Sequence, residues 1–519
     1  MPQNLSRASL AFFLSLLTGL FPLMALWSSN LGQIAPTEAL PSLLLTVAFV
    51  AVVFHVCFAT VRSAIQAALL ASVTFVFVFS FGHLYNLIGE KSLLGVSLGV
   101  IKLLVVTALL YSAVIMLLIK FRPRLNLSVL LLPTGALFLY NAFAIGAHTI
   151  RSVQPNRQET PASIAVSEKA LPDIYYIILD AYAREDVLRS VIGYDNSTFL
   201  EALQKRGFYL PECSFSNYDG TIHAVTSVLN SNYMEALGVA RNEQNGFESP
   251  DLNLIHDSWA SQTFRAYGYK FVTGRGYASF NDITTSDLYL NYAVQEGIRD
   301  DLAQKRFAHL YLSTTVFRTL MELYQNTPEK FPQFPTWLMI DAQSDTSLEE
   351  ANFWYLQNNF MFESLEQIQE RPGSHFIYAH INAPHGPYVY RPDGSFRYPL
   401  DDAEESILYA ETLTFLNHRV LDMIDEILAK SDPEPIIILQ GDHGIHKLTD
   451  GVDKHKILSA YYLPGNLITP PYETITPVNT FRLILRNYFD QSVELLPDLL
   501  RVKRLNEYEA VPASCDLQP

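Results

Sequence analysis

Gly441-Asp442-His443-Gly444, just after the apolar run Pro435-Ile436-Ile437-Ile438-Leu439, puts a carboxylate and an imidazole side by side on a glycine-flanked turn at a strand's end. Such a pair suits a divalent cation. A second apolar run, Asp173-Ile174-Tyr175-Tyr176-Ile177-Ile178-Leu179, ends on Asp180. In an open α/β sheet, ligands gather outside the carboxyl ends of parallel strands, so the two acidic ends are expected to meet. Thr221 follows the turn Asn217-Tyr218-Asp219-Gly220 and opens a helix-compatible run over 222–234. The free N–H groups and dipole of a helix start favour an anion there. A hydroxyl beside a divalent cation can lose its proton and attack a phosphoryl or sulfuryl group. Taken by itself, the local sequence fits a plain N-cap threonine better. His380 and His385 in His380-Ile381-Asn382-Ala383-Pro384-His385-Gly386-Pro387 follow a strand-like stretch at 376–378, and His455 stands in Asp453-Lys454-His455-Lys456. Imidazoles so placed can bind a second metal, hold a phosphate or protonate a leaving alcohol. His223 and His446 read as ordinary histidines.

The elements that must position these residues alternate along the chain. Strands are expected at 174–179, 376–378, 436–439 and 460–463, and helices at 196–206, 349–369, 403–429 and 478–488. Strands alternating with helices imply an α/β fold, a mainly parallel sheet covered on both faces. Region 238–347 is aromatic, polar and weakly periodic, and is expected to cap the sheet as helices and loops; its Trp259, Phe264, Tyr267 and Tyr277 read as packing under that cap.

With 519 residues and a formal net charge of −16, the chain is too long for one core. Residues 1–150 hold seven Lys/Arg and only two acids, a formal +5, which leaves −21 for the remainder. Five apolar stretches, about 10–27, 40–61, 65–88, 98–119 and 127–150, fit the length of a membrane span. Basic residues concentrate before the first span, between the second and third, and between the fourth and fifth. The positive-inside rule therefore puts the N-terminus in the cytoplasm and everything after about residue 151 outside it. The expected organisation is a five-helix transmembrane domain at 1–150, a polar linker at 151–171, an extracytoplasmic domain at 172–510 and a C-terminal tail at 511–519. An acidic exported domain excludes nucleic acid as a partner, for it has no basic footprint. Of three cysteines, Cys57 falls within a span, while Cys213 and Cys515 are both in the exported part, paired or free.

These residues bear a family likeness. The chain resembles the alkaline phosphatase/sulfatase superfamily, in particular its membrane-anchored phosphotransferase branch, which includes lipoteichoic acid synthases and lipid A phosphoethanolamine transferases. The resemblance covers nearly the whole chain. It is carried by the strand ending in Asp180, by Gly220-Thr221-Ile222-His223-Ala224-Val225-Thr226, by the Pro384-His385-Gly386-Pro387 loop, by Gly441-Asp442-His443-Gly444 and by His455. Tyr194-Asp195-Asn196, Arg206-Gly207-Phe208-Tyr209 and Pro477-Val478-Asn479-Thr480-Phe481-Arg482 are similar to bacterial membrane proteins with sulfatase domains. The resemblance implies an alkaline phosphatase-like fold in the bacterial cytoplasmic membrane. It also implies Thr221 as nucleophile, Asp180, Thr221, Asp442 and His443 as metal ligands, and His385 and His455 as contacts to the transferred group or to a second metal. Carboxylate, hydroxyl and imidazole ligands point to Zn²⁺ or Mn²⁺ ahead of Ca²⁺. The transferases tend to have Glu where this chain has Asp180, and their disulfide-rich pattern is missing here.

The leading expectation is transfer, or hydrolysis, of a phospho-alcohol head group from a membrane lipid donor to an envelope glycan or lipid acceptor. Sulfuric ester hydrolysis is the alternative, but Cys213-Ser214-Phe215-Ser216-Asn217 lacks the Cys/Ser-x-Pro-x-Arg pattern that formylglycine formation needs. A non-catalytic envelope scaffold is the third reading, and metal content separates it from the others.

Overall fold

Ile174–Leu179 (β1) is apolar at every position and buried throughout, as a strand in the middle of a parallel sheet must be. It lies between β4 (His375–Ile381) and β5 (Ile436–Gln440), parallel to both. Two further strands, β2 (Lys270–Gly274) and β3 (Leu288–Leu290), extend the sheet beyond β4, and β6 (Ser459–Tyr462) closes the other edge antiparallel to β5. The order is β6-β5-β1-β4-β2-β3. The computed structural model describes residues 2–30, 34, 36–88, 92–93, 96–97, 99–121, 127–152, 171–242, 246–298, 302–326, 348–397, 403–504 and 507–517.

Side-chain alternation along β1 gives the sheet its two cores. Tyr175, Ile177 and Leu179 pack with residues of helices Leu348–Leu365 and Glu405–Lys430 on one face. Ile174, Tyr176 and Ile178 pack with helices Thr221–Leu229, Trp259–Ala266 and Thr480–Tyr488 on the other. Helix Glu405–Lys430 buries Leu408, Thr412, Leu416, Val420, Met423 and Ile427, the spacing of a one-sided helix. Helices on both faces of a mainly parallel sheet agree with the expected α/β class.

The chain divides into two units. One comprises Met1–Arg151 with Asp301–Ser347, the other Ser152–Asp300 with Leu348–Pro519. Region 238–347 therefore does not act as one cap. It supplies β2 and β3 to the sheet, while α6 (Leu302–Ser313) and α7 (Arg318–Asn326) pack within the first unit. That unit also holds α1 (Pro2–Ser28), α2 (Pro36–Val61), α3 (Ala64–Ile88), α4 (Gly99–Phe121) and α5 (Leu127–Ser152). Among the described residues, α1 to α4 are long and apolar enough to cross a membrane, and α5 has a shorter apolar stretch, Leu132–Ala147. That is one fewer than the five expected spans: α5, where the fifth was expected, is apolar over too short a stretch to qualify.

Residues 153–170 of the expected linker lie outside the described residues. At the other end, the expected tail is held in place. Leu499–Arg504 pairs with Glu507–Pro512 in a hairpin, and Cys515 is disulfide-bonded to Cys213.

Candidate metal centre

Because β1, β4 and β5 run parallel, their carboxyl ends open on one side and deliver Asp180, the His380–His385 segment and Asp442-His443 to a common place. Asp180 and Asp442 are both buried, and each has one oxygen committed and one free. His380 Nε2–H donates to Asp180 Oδ2 at 3.0 Å, and the Ala181 N–H donates to Asp442 Oδ1 at 3.0 Å. Asp180 Oδ1 and Asp442 Oδ2 accept no hydrogen bond among the described residues. A buried carboxylate oxygen left so is costly unless a cation or proton sits against it.

The third donor is His443. Its Nδ1–H goes to the Gly444 carbonyl at 2.7 Å, which turns Nε2 toward the two free oxygens, 3.6 Å from Asp180 Oδ1 and 3.4 Å from Asp442 Oδ2. Thr221 is the fourth: its hydroxyl oxygen lies 3.0 Å from the same Nε2. Bonds of about 2.0–2.1 Å to a tetrahedral ion place neighbouring donors roughly 3.3–3.4 Å apart, so these separations fit one. Asp180, Asp442 and His443 offer ligand atoms all within 4.8 Å of one another. The donor set therefore fits a divalent cation.

Thr221 does not cap its helix. Gly220 is the N-cap, Thr221 is the first helical residue, and no side chain caps this end. Its hydroxyl is turned to His443, which separates the functional reading from the N-cap reading. The helix itself ends at Leu229, short of the expected 234. There Asn230 donates back to the Thr226 carbonyl, and Ser231 takes a positive φ of 46°.

Burial would raise the pKa of Asp180, but the imidazoles of His385, His380 and His443 outweigh it and hold the carboxyl well below the usual range. For His443, burial favours the neutral ring. Asp442 and Asp180, with the Gly444 carbonyl and Asp219, outweigh it and raise the pKa. His455 is buried, which pushes it down against the pull of Asp219; its Nδ1–H donates to the Ser216 carbonyl at 3.1 Å. His385 is exposed, donates Nδ1–H to the Gly386 carbonyl at 2.6 Å, and its ring centroid is 6.3 Å from that of His443. Both rings thus keep Nε2 as the free edge.

Of the residues read as ordinary, His223 is so: it bonds the Glu248 carbonyl between Tyr218 and Phe247. His446 is not remote, since its ring stands edge-on to His443 at 4.1 Å, and the surrounding protein and His443 push its pKa down to about 4. His380, expected at a strand end as a metal, phosphate or proton-transfer group, instead braces Asp180 and is itself held by the Tyr378 hydroxyl at 3.1 Å. Two contributors escaped the sequence reading. Asp219 acts on His443, His446 and His455 through its charge. Ala181 turns the chain after β1 at a φ of 61°, a costly conformation for a non-glycine residue.

Tyr409 holds that turn, its hydroxyl donating to the Ala181 carbonyl at 2.8 Å and accepting from the Ala183 N–H at 3.2 Å. Tyr409→Phe removes the partner of two buried main-chain groups, at about 1–3 kcal/mol each. The expected result is a lower unfolding temperature together with weaker metal binding, read by thermal unfolding with and without Zn²⁺. Gly441 is the matching constraint on the other ligand loop, for a Cβ there would meet the Tyr182 carbonyl oxygen at 2.5 Å.

The profile of the sulfatase family matches residues 172–466, which span β1 to the loop beyond β6 and include Asp180, Thr221, Asp442 and His443. The chain belongs to the sulfatase family. No curated relative matches it. Among solved structures, this sulfatase-family chain is similar to the phosphoethanolamine transferase EptA from Neisseria meningitidis, an integral membrane protein, at 12% identity over 88% of each chain with a TM-score of 0.37. It is also similar to the zinc complex of the C-terminal periplasmic domain of EptC from Escherichia coli, at 12% identity over 66% of this chain and 93% of that one, TM-score 0.37. A third is the lipoteichoic acid synthase LtaP from Listeria monocytogenes, at 13% identity over 64% and 78%, TM-score 0.35.

Proposed function

We propose that this sulfatase-family protein transfers a phospho-alcohol head group from a membrane lipid through a covalent intermediate on Thr221, at the outer face of the cytoplasmic membrane. The observation that carries the reading is the Thr221 hydroxyl, 3.0 Å from His443 Nε2, which itself stands 3.6 Å and 3.4 Å from carboxylate oxygens of Asp180 and Asp442 that accept no hydrogen bond among the described residues. Asp180, Asp442, His443 and Thr221 would hold the cation, with Zn²⁺ or Mn²⁺ matching the donors. Once bound, that ion makes the hydroxyl more acidic and offsets charge on the phosphoryl oxygens.

Thr221 Oγ forms the new bond to phosphorus, the bond from phosphorus to the lipid alcohol breaks, and that alcohol leaves with a proton. An acceptor hydroxyl, or water, then attacks phosphorus and releases Thr221. The first turn of helix Thr221–Leu229 turns its free N–H groups to the anion. His385 and His455 contact the transferred group through Nε2. Sulfuric ester hydrolysis through a formylglycine is disfavoured further by the bond that ties Cys213 to Cys515. The same disulfide supports an extracytoplasmic catalytic unit, because such bonds persist in oxidising compartments; the cytoplasmic N-terminus rests on the distribution of basic residues between the spans.

The test uses the full chain in nanodiscs, supplied with Zn²⁺ or Mn²⁺ and a phospholipid isotopically labelled in its head group. Mass spectrometry of the Thr221 peptide is expected to show the labelled phospho-alcohol. An unmodified peptide, with full activity in Thr221→Ala, would overturn the reading.

A further inference from the structure

α6 and α7 belong by sequence to the stretch between β3 and helix Leu348–Leu365, yet they pack on the apolar helices. Phe307 and Tyr311 of α6 are buried in one cluster with Leu20, Leu23, Met24 and Trp27 of α1, Ala39 and Val50 of α2, and Phe75, Val78 and Phe79 of α3. Those positions run from the middle of the bundle, at Val50 and Phe75, to the C-terminal end of α1 and the N-terminal end of α2, hence toward one end of an up-and-down bundle. It is the end to which the charge pattern assigns the outside.

The turn between α6 and α7 reaches deep along α3. The Gly82 N–H donates to the Thr314 carbonyl at 2.9 Å, and the Val316 N–H donates to the Val78 carbonyl at 2.9 Å. Gly82 N–H and Val78 C=O are the two groups that an α-helix ordinarily joins to each other. A side chain at Gly82 would run into the main chain of Ser313 and Thr314, so only glycine permits the approach. At 1.5 Å per residue, Gly82 and Val78 lie about 9 Å and about 15 Å from the end of α3 at Ile88. α3 has 25 residues, about 37 Å against a hydrocarbon core of about 30 Å. With the excess shared between its ends, the turn stands roughly 5–11 Å below the hydrocarbon boundary.

A turn at that depth must satisfy its own polar groups, because lipid offers none. This one does. Ser313, Thr314 and Thr315 hydroxyls donate to the carbonyls of Leu310, Tyr311 and Leu312, each at 2.7 Å. The N–H groups of Thr314, Thr315, Val316, Phe317, Arg318 and Thr319 all have acceptors in the turn or on α3. Meanwhile Leu310, Phe317 and Leu320 are 39%, 43% and 48% exposed, and α7 lies against α4, itself apolar and largely exposed. Twelve and nine residues are too few for either helix to cross the bilayer.

We infer that residues 302–326 form a re-entrant helix–turn–helix that dips into the outer leaflet and leaves on the same side, with Leu310, Phe317 and Leu320 against lipid acyl chains. The occupant is lipid because these exposed apolar positions belong to a segment packed against α3 and α4, apolar helices long enough to cross a membrane, on which Val76 and Leu109 are also exposed. The inference rests on the membrane reading of α1 to α4 and is independent of the reaction at Thr221. It gives the chain of the catalytic unit a second hold on the bilayer besides the helices that precede it.

Spin labels test it in the full chain, in nanodiscs of phosphatidylethanolamine and phosphatidylglycerol, with Cys57→Ser and the Cys213–Cys515 bond kept. Labels at Phe317→Cys and Leu320→Cys are compared with Leu109→Cys on α4 and with Glu201→Cys, whose side chain is 64% exposed in the other unit. Expected is collision with oxygen and shielding from a nickel chelate at 317 and 320, as at 109. Nickel access equal to that at 201 would overturn the inference. Because a label could disturb the turn, the native chain is also photolabelled with a phospholipid carrying a diazirine on its acyl chain. Adducts within 302–326 support the proposal, and labelling of α4 peptides with none in 302–326 refutes it.

Discussion

Thr221→Ala is expected to abolish turnover, with kcat falling by at least on the order of 10³-fold, while the protein stays folded and keeps its metal. A hydroxyl that forms the bond to phosphorus has no substitute in a methyl group, and removing a nucleophile in other covalent enzymes costs as much or more. Three of the four proposed ligands, Asp180, Asp442 and His443, remain, so metal content should persist. Stability should hardly change, since Thr221 makes no capping bond and alanine is a good residue for a helix's first turn. Thr221→Ser keeps the oxygen and should still form the phosphorylated intermediate, at a rate within about tenfold of the native chain because only packing is lost. Steady-state kinetics and metal analysis of both variants check this. If alanine and serine lower activity equally, the hydroxyl is not the nucleophile.

How far the sequence discloses this arrangement depends on what each residue needs from distant parts of the chain. Asp180, Asp442 and His443 were legible because each closes an apolar run, and parallel strands gather such ends by topology alone. Thr221 needed more. Its local sequence favours an N-cap, and only the 3.0 Å approach to His443, 222 residues away, gives it another role. His380 lies within a strand, where the pleat decides which face it takes. Nothing in Tyr378-Ala379-His380 announces that its imidazole will brace Asp180. The strands β2 and β3 hid for a different reason. Lys270-Phe271-Val272-Thr273-Gly274 is short, begins with a charge and ends on glycine, so its propensity signal is weak, and pairing with β4 is what makes it a strand. Residues 302–326 sit inside the weakly periodic region 238–347, which the sequence places as a cap over the sheet. Their buried partners are the apolar helices of the first unit, more than 200 residues upstream, and Gly82, which admits them, looks from the sequence like any residue of a span.

Metal removal should lower stability and activity together, in a way that depends on pH. An ion that binds only the folded site stabilises it by about 2.7 kcal/mol at a concentration of 100 times Kd. In a domain of this size that corresponds to roughly 5 °C in unfolding temperature. The ion must displace a proton, because His443 Nε2 has to be unprotonated to coordinate. In the metal-free site Asp442 and Asp180 raise the His443 pKa above that of an ordinary histidine, 6.5. The sign follows directly: as pH falls through that raised value, protons hold the ring and metal affinity drops by about tenfold per unit, and as pH rises past it affinity levels off. Asp180 does not add a second transition there, since its carboxyl stays ionised far into acid. Asp442→Asn keeps an acceptor for the Ala181 N–H but loses the charge that faces the cation. Its metal affinity should fall by more than the 10–100-fold typical of residues one shell further out. It should also weaken the pull that raises His443, so whatever binding is left will depend less on pH in the neutral range. Titration of Zn²⁺ and Mn²⁺ followed by thermal unfolding between pH 5.5 and 8.5 measures both effects. A flat profile in the native chain would mean that His443 is not a ligand.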